Sequence, residues 1–387
     1  MNFKTLRSMD ELRHQLSEVT SDRNASASLP PACYSDGSVF DRETEAIFYH
    51  SWIGLGRADR WKLPGDYSAM DIAGVPVIII RTKAGQLKGF ANSCRHRGSQ
   101  ILKGDGNCRA IRCPFHCWSY DLDGNLVYAP KMENAIDFDP KEFGLVEFRV
   151  RQCDGFAFLC LDDEVGELEQ WLMDFSEMHA PWALDQLVST RLREFEVNCN
   201  WKAFIEVFNE YYHLPYVHPD TLGNFYPEPE DADQVSGNYT TQFGITDGNA
   251  ALLAETQDQA LAPAKQISGR EKNGIRYTWI YPNLTFATSP DSLWMYQAYP
   301  ITPDRSWIVQ TICFPAHTVK RAEFESRVKY YYDRYDAALA EDIPFLEQQQ
   351  AGLSSKFARP GRFSSLEPSV ANFAHWYAGR LASALES

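Results

Sequence analysis

The sequence predicts an α+β protein in which a small antiparallel β domain precedes a larger domain that combines an antiparallel sheet with helices. Three patterns support this class. Short β-branched and aromatic runs, separated by turn signals, fill residues 61–162, and alternating runs return at residues 275–314 as three strands. Residues 321–353 then have the apolar spacing of a long helix. With 387 residues, 44% of them apolar, the chain is long enough for two or three folding units.

The remaining elements follow in chain order. Residues 1–42 contain a short amphipathic helical pattern and then SLPPACYSDGS, whose prolines, serines and glycine predict an extended connector. Hairpin turns are expected at residues 83–85 and 123–125 inside the β region. Residues 165–180 resemble a helix, residues 193–200 alternate like a strand, and a longer helix is expected from Asn200 onward.

Charge and cysteine content exclude several classes of protein. The net charge of −15 would repel nucleic acid and anionic membrane surfaces. The apolar run at residues 75–80 is far below the roughly 20 residues of a membrane-spanning helix, and the N-terminus lacks a secretory signal, so we expect a soluble, cytoplasmic protein. Nine cysteines in a reducing compartment favour metal ligands over disulfides.

Two mixed cysteine–histidine pairs lie in the β region. Cys94 and His96 form a Cys-x-His pair, and Cys113 and His116 form a Cys-x-x-His pair. Thiolates on one iron and imidazoles on the other are the ligands of a Rieske [2Fe–2S] cluster. A structural zinc site and unrelated buried side chains are the alternatives, but zinc fingers usually present like pairs, Cys with Cys and His with His.

A second histidine pair lies in the helix expected after Asn200. Glu206, Glu210 and His213 share one face of an ideal helix, because they are spaced at i, i+4 and i+7. His218 lies about 140° away from His213 on such a helix. Pro215 would disturb or end the helix between the two histidines and allow His218 to return towards His213.

Two imidazoles and one carboxylate form the facial triad that binds non-haem Fe(II) and leaves positions open for dioxygen. Asp342 is the candidate carboxylate, since its neighbours at i−3, i+3, i+4 and i−7 are apolar and place it on the core-facing stripe of the C-terminal helix. Glu341 and Glu347 have fewer such neighbours. A solvated charge on the helix surface is the alternative for any of the three.

These motifs together resemble the large subunits of Rieske non-haem iron oxygenases. The matching phrases are NSCRHRG, CPFHCWSYDLDG, NWK with an acid three residues before His-x₄-His, and EDIPFLEQQQAGL. The resemblance extends over about residues 29–380. It implies an N-terminal arm at residues 1–42, an all-β Rieske domain at residues 43–162, and a helix-grip catalytic domain with an antiparallel sheet at residues 163–387.

The resemblance also assigns roles to individual residues. It implies that His213, His218 and Asp342 bind the mononuclear Fe(II). Glu210 would be the carboxylate that bridges this site to His116, or else to His96, in the Rieske domain of a neighbouring subunit. The assembly would be a homotrimer or a multiple of three.

Three residues depart from the usual family pattern. Glu210 stands where most aromatic-ring dioxygenases have Asp and is similar to the choline, carnitine and betaine branch. Cys117 replaces a usual Gly, and Val207 replaces a frequent Asn. Cys117 and Cys108 are expected to be two small packed cysteines, with an extra thiol pair as the alternative.

The expected reaction is O₂-dependent hydroxylation of a small molecule. The chain has no GxGxxG fingerprint and no four-cysteine ferredoxin pattern, so electrons from NAD(P)H must arrive through a separate flavin or iron–sulfur reductase. The similarity of Glu210 to the choline, carnitine and betaine branch suggests monooxygenation and N-demethylation of a quaternary ammonium compound or N-methylated zwitterion. Hydroxylation of an aromatic acid is the alternative, and a non-catalytic Rieske electron carrier is the alternative of another class.

Aromatic side chains of the predicted second sheet are candidates for holding an ammonium group by cation–π attraction. Because alternate strand residues face one side, only about half of them are expected to reach a cavity, and the rest would belong to the sheet core. The candidates are Tyr277, Trp279, Tyr281, Phe286, Trp294, Tyr296 and Tyr299.

Overall fold

Antiparallel sheets organise the chain, of which this computed structural model describes residues 9–222, 225–226 and 229–385. The strands are, in order, β1 (Trp52–Arg57), β2 (Asp66–Ile72), β3 (Val75–Arg81), β4 (Leu87–Ala91), β5 (Gly104–Asn107), β6 (Ile111–Arg112), β7 (Ser119–Tyr120), β8 (Leu126–Tyr128), β9 (Glu147–Cys153), β10 (Phe156–Cys160), β11 (Leu187–Val197), β12 (Pro229–Ala232), β13 (Tyr239–Ile245), β14 (Gly274–Ile280), β15 (Leu284–Thr288), β16 (Leu293–Thr302) and β17 (Arg305–Pro315). One seven-stranded sheet has the order β1-β10-β9-β4-β3-β2-β5, a second has β11-β17-β16-β15-β14-β13-β12, and β6-β7-β8 form a small sheet.

Helices accompany mainly the second sheet, which confirms the predicted α+β class. They are α1 (Met9–Ser17), α2 (Ala32–Ser35), α3 (Gly37–Glu43), α4 (Leu168–Leu172), α5 (Phe175–His179), α6 (Trp201–Phe208), α7 (Leu214–Val217), α8 (Ala316–Val319), α9 (Phe324–Leu353) and α10 (Pro368–Ala384). A π-helical turn at Thr44–Tyr49 and several 3₁₀ turns connect them. The long helix predicted over residues 321–353 is confirmed as α9.

The two large sheets contact each other through β1. The amide of Gly54 donates to Asn283 Oδ1 at 2.9 Å, and the Tyr299 hydroxyl donates to the Gly54 carbonyl at 2.8 Å. A Cβ on Gly54 would lie 2.5 Å from the Leu284 Cβ, so only glycine allows this approach. The predicted turns at residues 83–85 and 123–125 are also present, joining β3 to β4 and β7 to β8.

Three local predictions need correction. Residues 275–314 form four strands rather than three, because a turn in which the Ser289 amide donates to the Ser292 carbonyl separates β15 from β16. The expected connector contains α2 and α3, the latter capped by Asp36, whose carboxylate accepts from the amides of Ser38 and Val39. The helix expected at residues 165–180 is divided at Met173, whose φ is +48°.

A buried polar cluster joins α3, near the N-terminus, to α6 and α10. The Glu43 carboxylate accepts hydrogen bonds from the Lys202 ammonium, the Trp201 indole and the Tyr377 hydroxyl. Lys202 and Glu43 are almost fully buried, so each charge depends on the other for compensation. Because these residues lie on α3, α6 and α10, the cluster fixes the position of α6, which leads into the segment that carries the two histidines.

The predicted domain limits at residues 1–42, 43–162 and 163–387 stay predictions, and residues 1–8 and 386–387 lie outside the described part. Within the described residues, no helix is both long and apolar enough to cross a bilayer.

Glu206, which lies near Lys202 of the buried polar cluster, makes the free energy of unfolding depend on pH. Burial raises the pKa of Glu206 to about 7, although the Tyr34 hydroxyl and the Lys202 ammonium favour its charged form. Since the folded-state pKa lies above the unfolded value, the stabilising effect of a protonated Glu206 is present below pH 4.5 and is lost as the pH rises to about 7. Glu206→Gln, which keeps an acceptor for Tyr34, should therefore stabilise the protein by up to roughly 3 kcal/mol more at pH 8 than near pH 4.5.

Thermal unfolding of both forms at pH 5 and pH 8 would check this prediction. Glu325→Gln, an exposed change on α9, is the control. An equal change of unfolding temperature at both pH values for Glu206→Gln would contradict the account.

Candidate active site

Two similar loops hold the first predicted set of ligands. One loop follows β4 and the other connects β6 to β7. In the first loop the Cys94 amide donates to the Ser99 carbonyl, and in the second the Cys113 amide donates to the Trp118 carbonyl. The amide four residues after each cysteine donates back to that cysteine's carbonyl. Each loop therefore presents its cysteine and its histidine from a fixed backbone turn.

The repeated loop geometry accounts for the departure at Cys117. The residue four positions after Cys94 is Gly98, with φ of +71°, and the residue four positions after Cys113 is Cys117, with φ of +60°. Both loops thus need a left-handed residue here, which explains why glycine suits the second position. Cys117 and Cys108 are free thiols and form no disulfide.

The loops bring the four predicted ligands together. The Cys94 and Cys113 side chains are neighbours and are buried, whereas the rings of His96 and His116 are partly exposed, with centroids 4.7 Å apart. Burial raises the pKa of the Cys94 thiol, while hydrogen bonds from the amides of Phe115 and His116 outweigh burial and lower the pKa of the Cys113 thiol. Two thiols inside and two imidazoles outside match the donors that a Rieske cluster requires.

The second site lies beyond the end of α6. This helix ends earlier than the sequence predicts. Helix α6 ends at Phe208, and the Asn209 side chain donates to the Ile205 carbonyl and to the Thr285 hydroxyl. Glu206, Glu210 and His213 therefore do not share one helical face, and that prediction is wrong. The Asn209 side chain instead links this segment to β15.

Glu210 orders the loop that follows. Its carboxylate accepts hydrogen bonds from the amides of Tyr212 and His213 and lies against Nδ1 of His213. The sequence suggested that Pro215 disturbs or ends a helix, but it stands in the first turn of α7, where its missing N–H costs nothing. His218 follows directly after α7, so this short helix determines the spacing of the two imidazoles.

His213, His218 and Asp342 converge on one point. Their ligand atoms all lie within 4.8 Å of one another. Nε2 of His218 is 2.9 Å and Nε2 of His213 is 3.6 Å from Asp342 Oδ1. Neither ring nitrogen is oriented to form a hydrogen bond with Asp342 Oδ1. This buried oxygen therefore has no hydrogen-bond partner in the described structure. An unsatisfied carboxylate oxygen facing two imidazole nitrogens fits a metal ion with two histidines and one carboxylate as ligands.

Glu341 holds His218 in place, a role that the sequence analysis missed. Glu341 Oε2 lies 2.6 Å from Nδ1 of His218 and accepts a hydrogen bond from the Thr221 hydroxyl at 2.7 Å. A carboxylate on one imidazole nitrogen aims the other nitrogen at the metal. Burial alone would lower the pKa of His218, but the carboxylates of Asp342 and Glu341 raise it. The sequence feature that could have indicated this role is the pair of adjacent acids at positions 341 and 342.

A small cavity of about 40 Å³ adjoins the triad. Tyr277, Trp294 and Tyr296 line it, as predicted for part of the aromatic set. The other four aromatic candidates do not line it. Trp279 and Tyr281 pack against Phe373 of α10, Phe286 lies near Phe156, and Tyr299 bonds to Gly54 of β1. The cavity also contains residues that the sequence analysis did not single out, namely Phe208, Tyr335 and Arg334.

Comparison with known proteins matches both parts of the chain. Residues 176–383 match the family model described as the ring hydroxylating alpha subunit (catalytic domain), and residues 51–148 match the Rieske [2Fe-2S] domain. The glycine betaine monooxygenase oxygenase subunit of Pseudomonas aeruginosa is 26% identical, over 96% of this chain and 93% of its own length. The carnitine monooxygenase oxygenase subunit of Escherichia coli K12 is 26% identical, over 85% and 84% respectively.

Solved structures share the fold. A quaternary ammonium Rieske monooxygenase superimposes with a TM-score of 0.80 at 24% identity, covering 93% of this chain and 97% of its own. Naphthalene 1,2-dioxygenase from a Rhodococcus species superimposes with a TM-score of 0.79 at 20% identity, covering 97% and 99%.

Substitution of Glu341 tests its effect on the triad. Because Glu341→Gln weakens the hold on His218 Nδ1, we expect the affinity for Fe(II) at the triad to fall about 10-fold or more. Competition with a calibrated chelator measures this affinity. Glu347→Gln is the control, since Glu347 lies on the same helix and accepts from the Asn198 side chain. Equal Fe(II) affinity in both variants would show that Glu341 does not support the site.

Proposed function

This chain belongs to the ring-hydroxylating alpha-subunit family with a Rieske [2Fe–2S] domain, and from this premise we propose that it hydroxylates a quaternary ammonium compound or N-methylated zwitterion. Members of this family are oxidoreductases that carry a Rieske cluster and a mononuclear iron. The observation that carries the proposal is one cavity that is lined both by the His213, His218 and Asp342 triad and by aromatic side chains of β14 and β16.

We assign the ligands as follows. Cys94 and Cys113 would hold one iron of the cluster, and His96 and His116 the other. His213, His218 and Asp342 would hold Fe(II) and leave adjacent positions free for dioxygen. When bound, the ferrous ion supplies dioxygen activation and the cluster supplies electrons one at a time. The protein supplies geometry: Glu210 and Glu341 fix the Nδ1 atoms of the two histidines, so that both Nε2 atoms point to one place.

The overall reaction balances as a monooxygenation. One oxygen atom is inserted into a C–H bond of an N-methyl group, and the other leaves as water with two electrons and two protons. The C–N bond of the hydroxymethyl group then breaks and releases formaldehyde, the demethylated amine and a proton. The names of the relatives support this class of substrate, since those above are described as glycine betaine and carnitine monooxygenase subunits.

A head-to-tail trimer would join the two metal centres. Phe115, beside His116, is 59% exposed, and Tyr216, between the two ligand histidines, is 76% exposed. Such apolar surface at both centres supports contact between subunits. A carboxylate has about four acceptor positions, so Glu210 can accept from a neighbour's His116 while it holds its own His213. Electrons would come from NAD(P)H through a separate reductase.

Formaldehyde release tests the proposed reaction. Purified protein with a compatible flavin and iron–sulfur reductase, NADH and glycine betaine or L-carnitine should consume O₂ and release one formaldehyde per O₂. Omission of the reductase should stop sustained turnover, because the chain contains no dinucleotide fingerprint.

Two results would contradict the proposal. Hydroxylated or dihydrodiol products of an aromatic acid, without formaldehyde, would assign the protein to the aromatic alternative. Iron analysis that finds two irons per chain instead of three, after reconstitution with Fe(II), would indicate an electron carrier.

A further inference from the structure

Arg334 places a positive charge inside the cavity. Arg334 lies on α9, is only 3% exposed, and lines the same cavity as Asp342. The two residues are eight positions apart on one helix, so their side chains leave it about 80° apart around the axis, at backbone positions about 12 Å apart. The cavity is thus lined both by the metal triad and by a guanidinium that comes from two turns earlier on α9.

The guanidinium lacks an anionic partner. Its Nε and Nη2 atoms are buried and have no hydrogen-bond acceptor among the residues that the structure describes. The nearby carboxylates on α9 do not pair with it: Asp333 is exposed, Asp336 pairs with Arg191 and Arg193, and Asp342 faces the two histidines. A buried, uncompensated charge is strongly destabilising. A residue of this kind in a cavity indicates that the missing anion comes from the ligand.

Arg334 also occupies aromatic faces that a substrate ammonium group would otherwise use. Its guanidinium carbon lies 5.0 Å from the ring centre of Trp294 and 5.2 Å from that of Tyr335. Like charges repel, so a trimethylammonium group is disfavoured beside Arg334. A zwitterion avoids the conflict when its carboxylate faces Arg334 and its methylated nitrogen faces the triad.

We propose that Arg334 binds the carboxylate of the substrate and thereby selects carboxylate-bearing molecules over simple cations. This inference rests on the proposed function, which supplies the N-methylated end of the substrate. Guanidinium suits the role, because its planar N–H groups match a carboxylate in two parallel hydrogen bonds. The bound carboxylate would also fix which methyl group faces the triad.

Binding measurements without turnover test the inference. The iron-loaded protein, kept oxygen-free and without reductase, is titrated by calorimetry with glycine betaine, L-carnitine, choline and benzoate. Choline has the trimethylammonium group but no carboxylate, and benzoate has a carboxylate but no ammonium group. We expect glycine betaine or L-carnitine to bind at least about 30-fold more tightly than choline, as the loss of one buried charge pair would imply.

Substitutions then locate the effect at Arg334. Arg334→Gln should abolish the preference for the carboxylate probe over choline, and Arg334→Lys, which keeps the charge but loses the planar fork, should retain part of it. Arg321→Gln, which removes a half-exposed charge just before α9, should leave the preference unchanged. The cluster absorbance and the unfolding temperature of each variant establish that it is folded.

The outcomes separate this inference from the proposed function. Tight binding of benzoate alone, lost in Arg334→Gln, would support carboxylate recognition and contradict the N-methylated substrate. Formaldehyde release from choline and glycine betaine with equal efficiency, unaffected by Arg334→Gln, would support the proposed function and overturn the inference. Failure of every carboxylate probe to bind the parent protein would also overturn it.

Discussion

The structure of the candidate site depends on one buried oxygen atom, Oδ1 of Asp342. It lies between the Nε2 atoms of two histidines that come from a segment more than 120 residues earlier. Without a cation these three groups leave a carboxylate oxygen unsatisfied in a buried place, which proteins rarely tolerate. The convergence therefore requires that α9 lie against the segment after α6, and much of the surrounding structure serves to keep it there.

Several contacts outside the triad maintain that arrangement. The buried pair of Glu43 and Lys202 fastens α6 to the N-terminal helices, and Asn209 fastens the end of α6 to β15. Glu210 and Glu341 then orient one imidazole each. Because each of these groups is buried or hydrogen-bonded, the two imidazoles are held in a fixed geometry, and outer carboxylates that fix imidazoles in this way raise the affinity of a site for a metal.

Much of this site could be predicted from local sequence patterns. The mixed Cys–His pairs, the two histidines and the helical stripe that includes Asp342 all depend on short-range spacing, and the structure brings each group together. The end of α6 at Phe208 could not be predicted, because it involves a bond from Asn209 to Thr285, 76 residues away. Arg334 was missed for a similar reason: a charged residue on a helix is normally solvated, and only the tertiary fold reveals its burial.

The most direct test is the iron content of Asp342→Ala beside that of the parent protein, both reconstituted with Fe(II) and desalted. Asp333→Ala, an exposed change on the same helix, is the control. The account predicts three irons per chain in the parent and control and two in Asp342→Ala, with the red-brown absorbance of the cluster unchanged in all three. Three irons retained in Asp342→Ala would contradict the assignment of this carboxylate as a ligand.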